Sequence, residues 1–156
     1  MSRGIKQILF VLGVFMVNFT QAHPIQDFYK KHKKDKDMEA QIVPPKIAAM
    51  WVDEDYEEAI DILKSMTALK YLNFQGDQSA ISRYAKNAIA SKGGYELLLT
   101  DQDKRGKIKV FGQRKNGFVR KLFAVVETSS EFVLVIGKGK FSSDQVAALP
   151  ALAREI

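Results

Sequence analysis

The Asn116-Gly117 pair, flanked by residues that alternate between apolar and polar, constrains the fold more than any other feature. A type I′ turn needs positive φ at both central residues, and Asn-Gly adopts it readily, so the pair predicts a two-residue β-hairpin. Period-2 alternation begins at Tyr95 and continues to residue 137. It predicts an antiparallel meander of four strands. The strands are expected at residues 95–100, 107–113, 118–127 and 131–137.

Direct pairing across this turn gives a register in which Phe111 lies opposite Leu122 and Lys109 lies opposite Ala124. One face is then apolar and predicts the core, with Ile108, Val110, Phe123, Val125, Phe132, Leu134 and Ile136. The other face is basic near the hairpin tip and apolar in its middle, at Phe111, Leu122, Ala124, Val133 and Val135. A sheet with one solvated face should be polar there. Either helices of the chain cover this second face, or it contacts a ligand, a partner or a second copy.

Helical spacing of apolar residues dominates the rest of the chain. Helices are expected at residues 24–33, at 46–51, at 54–66, between an Asp77 cap and Gly93, and after a Ser142–Gln145 capping box. Strands are expected at residues 38–43 and 69–74. The predicted class is α+β, a mainly antiparallel sheet with a four-strand C-terminal meander, packed with about four helices. Trp51, a large aromatic residue at a helix end, is expected in the core.

Residues 1–22 form a separate unit. A basic start, a 12-residue apolar run over residues 8–19 and small residues up to Ala22 are typical of a secretory signal peptide. The run is too short to span a bilayer, which takes about 20 residues. We therefore expect cleavage between Ala22 and His23, a periplasmic or secreted protein without a transmembrane segment, and a single α+β domain over residues 23–156.

Cysteine is absent, which excludes disulfides, thiol catalysis and thiolate metal sites. The net charge is +6, and residues 104–121 hold eight basic residues and no acid, whereas residues 53–58 form an acidic cluster. This polarity is compatible with an anionic partner. The candidate contacts for such a partner are Lys107, Lys109, Arg114, Arg120 and Lys121.

The segment KNGFVRKLF, at residues 115–123, has the aromatic and basic residues of an RNA-recognition strand. Such a strand belongs to a βαββαβ order, whereas this segment lies in a four-strand meander. Lysines along a hairpin commonly prevent edge-to-edge pairing. We therefore expect no nucleic-acid partner.

No residue pattern in the sequence indicates catalysis, a metal site or a cofactor. His23 and His32 are too few for a metal site. The Asp101–Gly112 segment resembles a calcium loop at its start but lacks the glutamate at its twelfth position. An unrecognised hydrolase would need a carboxylate from residues 53–61 to meet a serine or a histidine. We expect a protein that is not an enzyme.

Several segments together match one family pattern: the Phe28-Tyr29 pair, Met50 ahead of an acidic helix, MTALKYLNF at 66–74, the strand pair at 107–126 and FVLVIGKGKFSSDQVAAL at 132–149. In these features the chain resembles small exported bacterial envelope proteins grouped as domain of unknown function 4252. The family has no established activity, so no residue inherits a role. Many members carry a lipoprotein cysteine after the signal; this chain lacks it, which implies a location without lipid anchoring.

These observations favour a non-catalytic binding module of the bacterial cell envelope. Its partner would be an envelope protein or an anionic envelope component, and a second copy of the chain is a further candidate. A carrier of a small apolar ligand, held on the second sheet face, is the main alternative.

Overall fold

The computed structural model describes residues 24–150, which form five helices, six strands and their connections. In chain order the elements are α1 (Pro24–His32), β1 (Met38–Ile42), α2 (Pro45–Trp51), α3 (Glu57–Lys64), β2 (Met66–Gln75), α4 (Gln78–Ala90), β3 (Glu96–Gln102), β4 (Gly106–Lys115), β5 (Phe118–Thr128), β6 (Glu131–Phe141) and α5 (Ser143–Ala147). The strands form one antiparallel sheet in the order β1-β2-β6-β5-β4-β3. The predicted α+β class and the C-terminal meander are confirmed.

The predicted signal peptide and its cleavage point lie outside the described residues. Within residues 24–150, the helices are too short or too polar to cross a bilayer.

Local signals set the element boundaries. Asn116 and Gly117 have φ values of 55° and 82°, as the predicted hairpin turn requires. The Asp77 side chain accepts a hydrogen bond of 2.8 Å from the backbone N–H of Ala80 and caps α4. At the start of α5, Ser142 and Gln145 make both hydrogen bonds of a capping box, at 2.9 and 3.2 Å.

A bulge in β5 changes the register beyond the hairpin. Arg114 pairs with Val119, whereas Gln113, the residue before Arg114 in β4, pairs with Lys121. Arg120 is therefore the extra residue of β5. A bulge places two residues of one strand opposite one residue of its partner and shifts all later pairs.

The predicted hairpin register is therefore wrong by one residue. Phe111 pairs with Phe123 rather than with Leu122, and Lys109 pairs with Val125. Because side chains alternate between faces, a one-residue shift moves a strand's whole set of side chains to the opposite face. Phe111 consequently shares a face with Phe123, not with Leu122.

Helices cover both faces of the sheet. On the first face, α1 and α4 pack against a core that includes Leu72, Phe74, Phe111, Phe123, Val125, Phe132, Leu134 and Ile136. On the second face, α2, α3 and α5 pack against a core that includes Ile108, Val110, Val119, Leu122 and Phe141. Ile108 and Val110 thus lie on the second face, not on the first as predicted, because β4 carries the register error.

Candidate interaction surface

Helix α2 buries its small side chains and exposes its large ones. Pro45 starts the helix in the first turn, where a missing N–H costs no hydrogen bond. Ala48 and Ala49 are buried in the core of the second face. Met50 and Trp51 are 81% and 71% exposed. The prediction that Trp51 lies in the core was therefore wrong.

The exposed residues of α2 share one side of the helix. Ile47 precedes Met50 and Trp51 by three and four positions, the spacing that places residues side by side on a helix surface. Tyr56 follows in the turn to α3 and is also exposed. We call Ile47, Met50, Trp51 and Tyr56 the α2 ridge. Large exposed apolar groups of this kind mark interaction sites more often than scattered single residues do.

Carboxylates border the α2 ridge on its C-terminal side. All of them are exposed to solvent: Asp53, Glu54, Asp55, Glu57 and Glu58. The backbone N–H of Tyr56 donates a hydrogen bond of 3.0 Å to the carbonyl of Asp53. This bond closes the turn that contains Asp53, Glu54 and Asp55. The ridge thus has an apolar centre and an acidic rim.

The predicted basic contacts are partly neutralised within the chain. The Nε atom of Arg114 lies 2.9 Å from Oε1 of Glu96 in an exposed ion pair. Lys107 lies opposite Glu127 in the backbone register of β4 and β5. Arg120 is exposed at the bulge, whereas Lys109 and Lys121 are half-buried. Lys121 also lies directly opposite Lys138 of β6.

Of the five residues predicted as one apolar ligand face, four lie on the second face and Phe111 lies on the first. Phe111 is buried in the first core and Leu122 in the second. Ala124, Val133 and Val135 are half-buried on the second face. Two grooves of the described chain, of about 360 and 470 Å³, are lined by other residues. The geometry gives the ligand-carrier hypothesis no support.

The hydrolase hypothesis gains no support either. Asp61 contacts Ser65 only through its backbone carbonyl, which accepts a hydrogen bond of 2.9 Å from the Ser65 hydroxyl. Over residues 24–150, no group of three or more histidine and acidic side chains is placed to hold a metal ion. Ser142 caps α5, and Ser143 is exposed at the start of that helix.

One polar cluster was not predicted from the sequence. Nδ1 of His32 lies 2.7 Å from Oδ2 of Asp35, and the Tyr84 hydroxyl donates a hydrogen bond of 2.8 Å to the same oxygen. The His32 ring also contacts the rings of Phe28 and Tyr84 at 4.5 and 5.3 Å. The cluster connects the end of α1 to α4. Its only local signal was the three-residue spacing of His32 and Asp35, because Tyr84 lies 49 positions further along.

The cluster shifts the acidities of its members. The hydrogen bond from His32 is the main cause that lowers the pKa of Asp35, and the bond from Tyr84 acts in the same direction. Burial, followed by the contact with Asp35, raises the pKa of the Tyr84 hydroxyl. The ionised carboxylate of Asp35 is thus the form that the fold stabilises.

We expect Asp35→Asn to destabilise the protein at neutral pH and to lose this effect in acid. Because the folded-state pKa of Asp35 is lowered, its contribution is fully present above the ordinary value of 3.8 and is lost as the pH falls through the folded value. Urea denaturation of both proteins at a series of pH values measures the difference in unfolding free energy. Tyr84→Phe, which keeps the carboxylate, should show a smaller difference. A difference for Asp35→Asn that stays constant through acid would contradict the assignment.

Comparison with known proteins places the chain in a family. A family model described as Domain of unknown function (DUF4252) matches residues 29–149, from α1 to just after α5. Neither a curated protein nor a solved structure matches the chain. The match covers more than half of the sequence and confirms the resemblance seen in the strand and helix pattern. This chain belongs to the DUF4252 family.

Proposed function

We propose that the protein is a non-catalytic interaction module of the bacterial cell envelope that binds a protein partner through the α2 ridge. The observation that carries this proposal is the orientation of α2, which packs two alanines inward and directs Ile47, Met50 and Trp51 outward. Such a helix loses hydrophobic stabilisation in the isolated protein, since its largest apolar groups remain in water. A partner that covers them recovers it.

The composition of the ridge suits a protein partner. Tryptophan, tyrosine and methionine are enriched in the buried centres of protein interfaces, and truncating tryptophan or tyrosine there commonly costs the most affinity. The acidic rim, from Asp53 to Glu58, would repel an anionic membrane surface. The rim instead favours a protein whose apolar site is bordered by lysine or arginine.

An anionic envelope component is the second candidate partner. Lys121 and Lys138 lie directly opposite each other on β5 and β6, and Arg120 is exposed beside them. Like charges in directly opposed positions destabilise a sheet, and a bound anion would relieve the repulsion. This candidate uses the basic hairpin, on a different part of the molecule from the α2 ridge.

The cell-envelope location rests on the sequence of residues 1–22, whose pattern is that of a signal peptide. The protein recovered from the envelope fraction tests this location. Its mature chain should begin at His23.

Site-specific photo-crosslinking tests the proposal in cells. A benzophenone side chain replaces Trp51 in one strain and Leu97, an exposed apolar residue of β3, in the control strain. We expect position 51 to form one dominant adduct with an envelope protein and position 97 to form none of the same mass. Identical adducts from both positions, or none from position 51, would contradict a ridge-specific partner. Loss of the adduct in a Lys121→Glu/Lys138→Glu double variant would instead assign the partner to the basic hairpin.

A further inference from the structure

The outer edge of β1 carries backbone groups that no other strand of residues 24–150 pairs with. β1 is an end strand, and within that range its strand partner is β2. The Val43 N–H donates to the Leu69 carbonyl at 2.9 Å, which sets the phase of the ladder. In an antiparallel pair, alternate residues bond to the neighbouring strand and the others point away. Residues 39 and 41 therefore bond to β2, whereas Met38, Ala40 and Ile42 direct their backbone groups outward. Of these outward groups, the Met38 N–H already donates a hydrogen bond of 3.1 Å to the Asp35 carbonyl.

This edge has only part of the protection that exposed strands usually have. β1 is short, at five residues, and carries the charged Glu39, but it contains no lysine, proline or bulge, which are further devices that prevent pairing with another chain. The other edge strand, β3, is irregular between Leu97 and Leu99. Ile42, at the end of β1, is 78% exposed. A regular strand with an exposed isoleucine is a template for β-strand addition.

The sequence of β1 is complementary to itself in one antiparallel register. With Ala40 opposite Ala40 of a second copy, Met38 lies opposite Ile42, and Glu39 lies opposite Gln41. The outward-pointing residues then face each other, as hydrogen-bonded pairs require. The Gln41 amide is able to donate to Glu39: within one chain its Nε2 atom lies 3.2 Å from Oε1 of Glu39. The register places no like charges opposite each other, and it covers Ile42 with Met38.

We propose that two copies of the protein pair their β1 strands antiparallel, about a two-fold axis at Ala40, and join two six-stranded sheets into one of twelve strands. The partner is a second copy of this chain because the pairing is self-complementary, and a two-fold axis closes the assembly at a dimer. The proposal is independent of the α2 ridge. A contact built on one short strand is small, so the dimer forms at high rather than trace protein concentration.

Disulfide trapping tests the register. The sequence has no cysteine, so each introduced thiol is the only one present in its chain. Paired Cα atoms in a ladder lie within the distance that a disulfide spans. We expect mild oxidation of Ala40→Cys, at the proposed two-fold axis, to yield a covalent dimer. The Thr100→Cys variant, on the opposite edge strand, should remain monomeric. Glu39→Cys should cross-link when mixed with Gln41→Cys and much less when oxidised alone.

Sedimentation equilibrium tests the association without a cross-link. The wild-type protein should shift from monomer to dimer as its concentration rises. Ala40→Pro removes an outward N–H and leaves the ladder to β2 intact. Ile42→Lys adds a charge at the edge and changes no backbone group. It therefore tests the association even if the proline variant does not fold. Both variants should remain monomeric at concentrations where the wild-type protein is mostly dimeric.

Three results would overturn the proposal. They are a wild-type protein that stays monomeric up to millimolar concentration, a dimer that survives in Ile42→Lys, and equal cross-linking of Ala40→Cys and Thr100→Cys.

Discussion

Trp51→Ala is expected to weaken binding of the protein cross-linked at this position at least tenfold and to leave folding almost unchanged. Truncation of a central tryptophan in an interface costs about 2 kcal/mol or more, and tenfold corresponds to about 1.4 kcal/mol. Because the side chain is mostly in water in the free protein, its loss should alter the free energy of unfolding by no more than about 0.5 kcal/mol.

Calorimetric titration with the purified partner measures this loss, and Leu97→Ala is the matched control. Leu97 is also an exposed apolar residue, at 54%, but it lies on β3 and outside the ridge. Trp51 is the single tryptophan of the sequence, so its fluorescence reports the ridge directly. In the free protein the emission should be that of a solvated indole, and it should shift to shorter wavelength when the partner binds. Equal affinities for the Trp51→Ala and Leu97→Ala variants would contradict the proposed role.

The parts of the fold that the sequence predicted correctly are those set by local chemistry. The Asn116-Gly117 turn depends on two residues that tolerate positive φ. The caps at Asp77 and Ser142 depend on a side chain that reaches backbone N–H groups three positions away. Each signal is complete within four residues, so the sequence alone is sufficient to locate it.

The hairpin register failed because the bulge at Arg120 has no comparable local signal. Beyond it, residues 122–126 of β5 are all apolar, so alternation between apolar and polar residues does not determine the register there. The structure inserts Arg120 as an extra residue, so that Phe111 packs against Phe123, with ring centroids 4.8 Å apart. The observed register thus depends on a contact between β4 and β5, which the local sequence pattern does not determine.

The outward side of α2 and the polar cluster at His32 were missed for related reasons. Helical spacing identifies two sides of α2 but does not indicate which side packs on the sheet. The prediction that Trp51 is buried selected the wrong side. Ala48 and Ala49 pack into the core of the second face next to β2, and the larger residues of α2 lie outside it. The Tyr84 contact with Asp35 depends on how α1 and α4 meet over the sheet. Both outcomes follow from tertiary packing, which one sequence does not specify locally.

Phe132→Ala is expected to cause one of the largest stability losses in the chain, about 3–5 kcal/mol, through the cavity that the ring leaves. Phe132 is fully buried in the core of the first face. Its ring stacks on Tyr84 with centroids 5.6 Å apart and meets the edge of Phe28 at 6.4 Å. It therefore links β6 to both α4 and α1, and its removal weakens the packing of each helix on the sheet.

Phe118→Ala is the matched control for this substitution, because it removes the same ring from the tip of the hairpin. Phe118 is partly exposed, and its ring lies 4.3 Å below the Lys140 ammonium. An exposed contact of this kind contributes about 0.5–1 kcal/mol, so we expect a loss several times smaller than for Phe132. Urea denaturation followed by circular dichroism gives both values. If the two variants lost similar stability, the aromatic core of the first face would not be what holds helices α1 and α4 on the sheet.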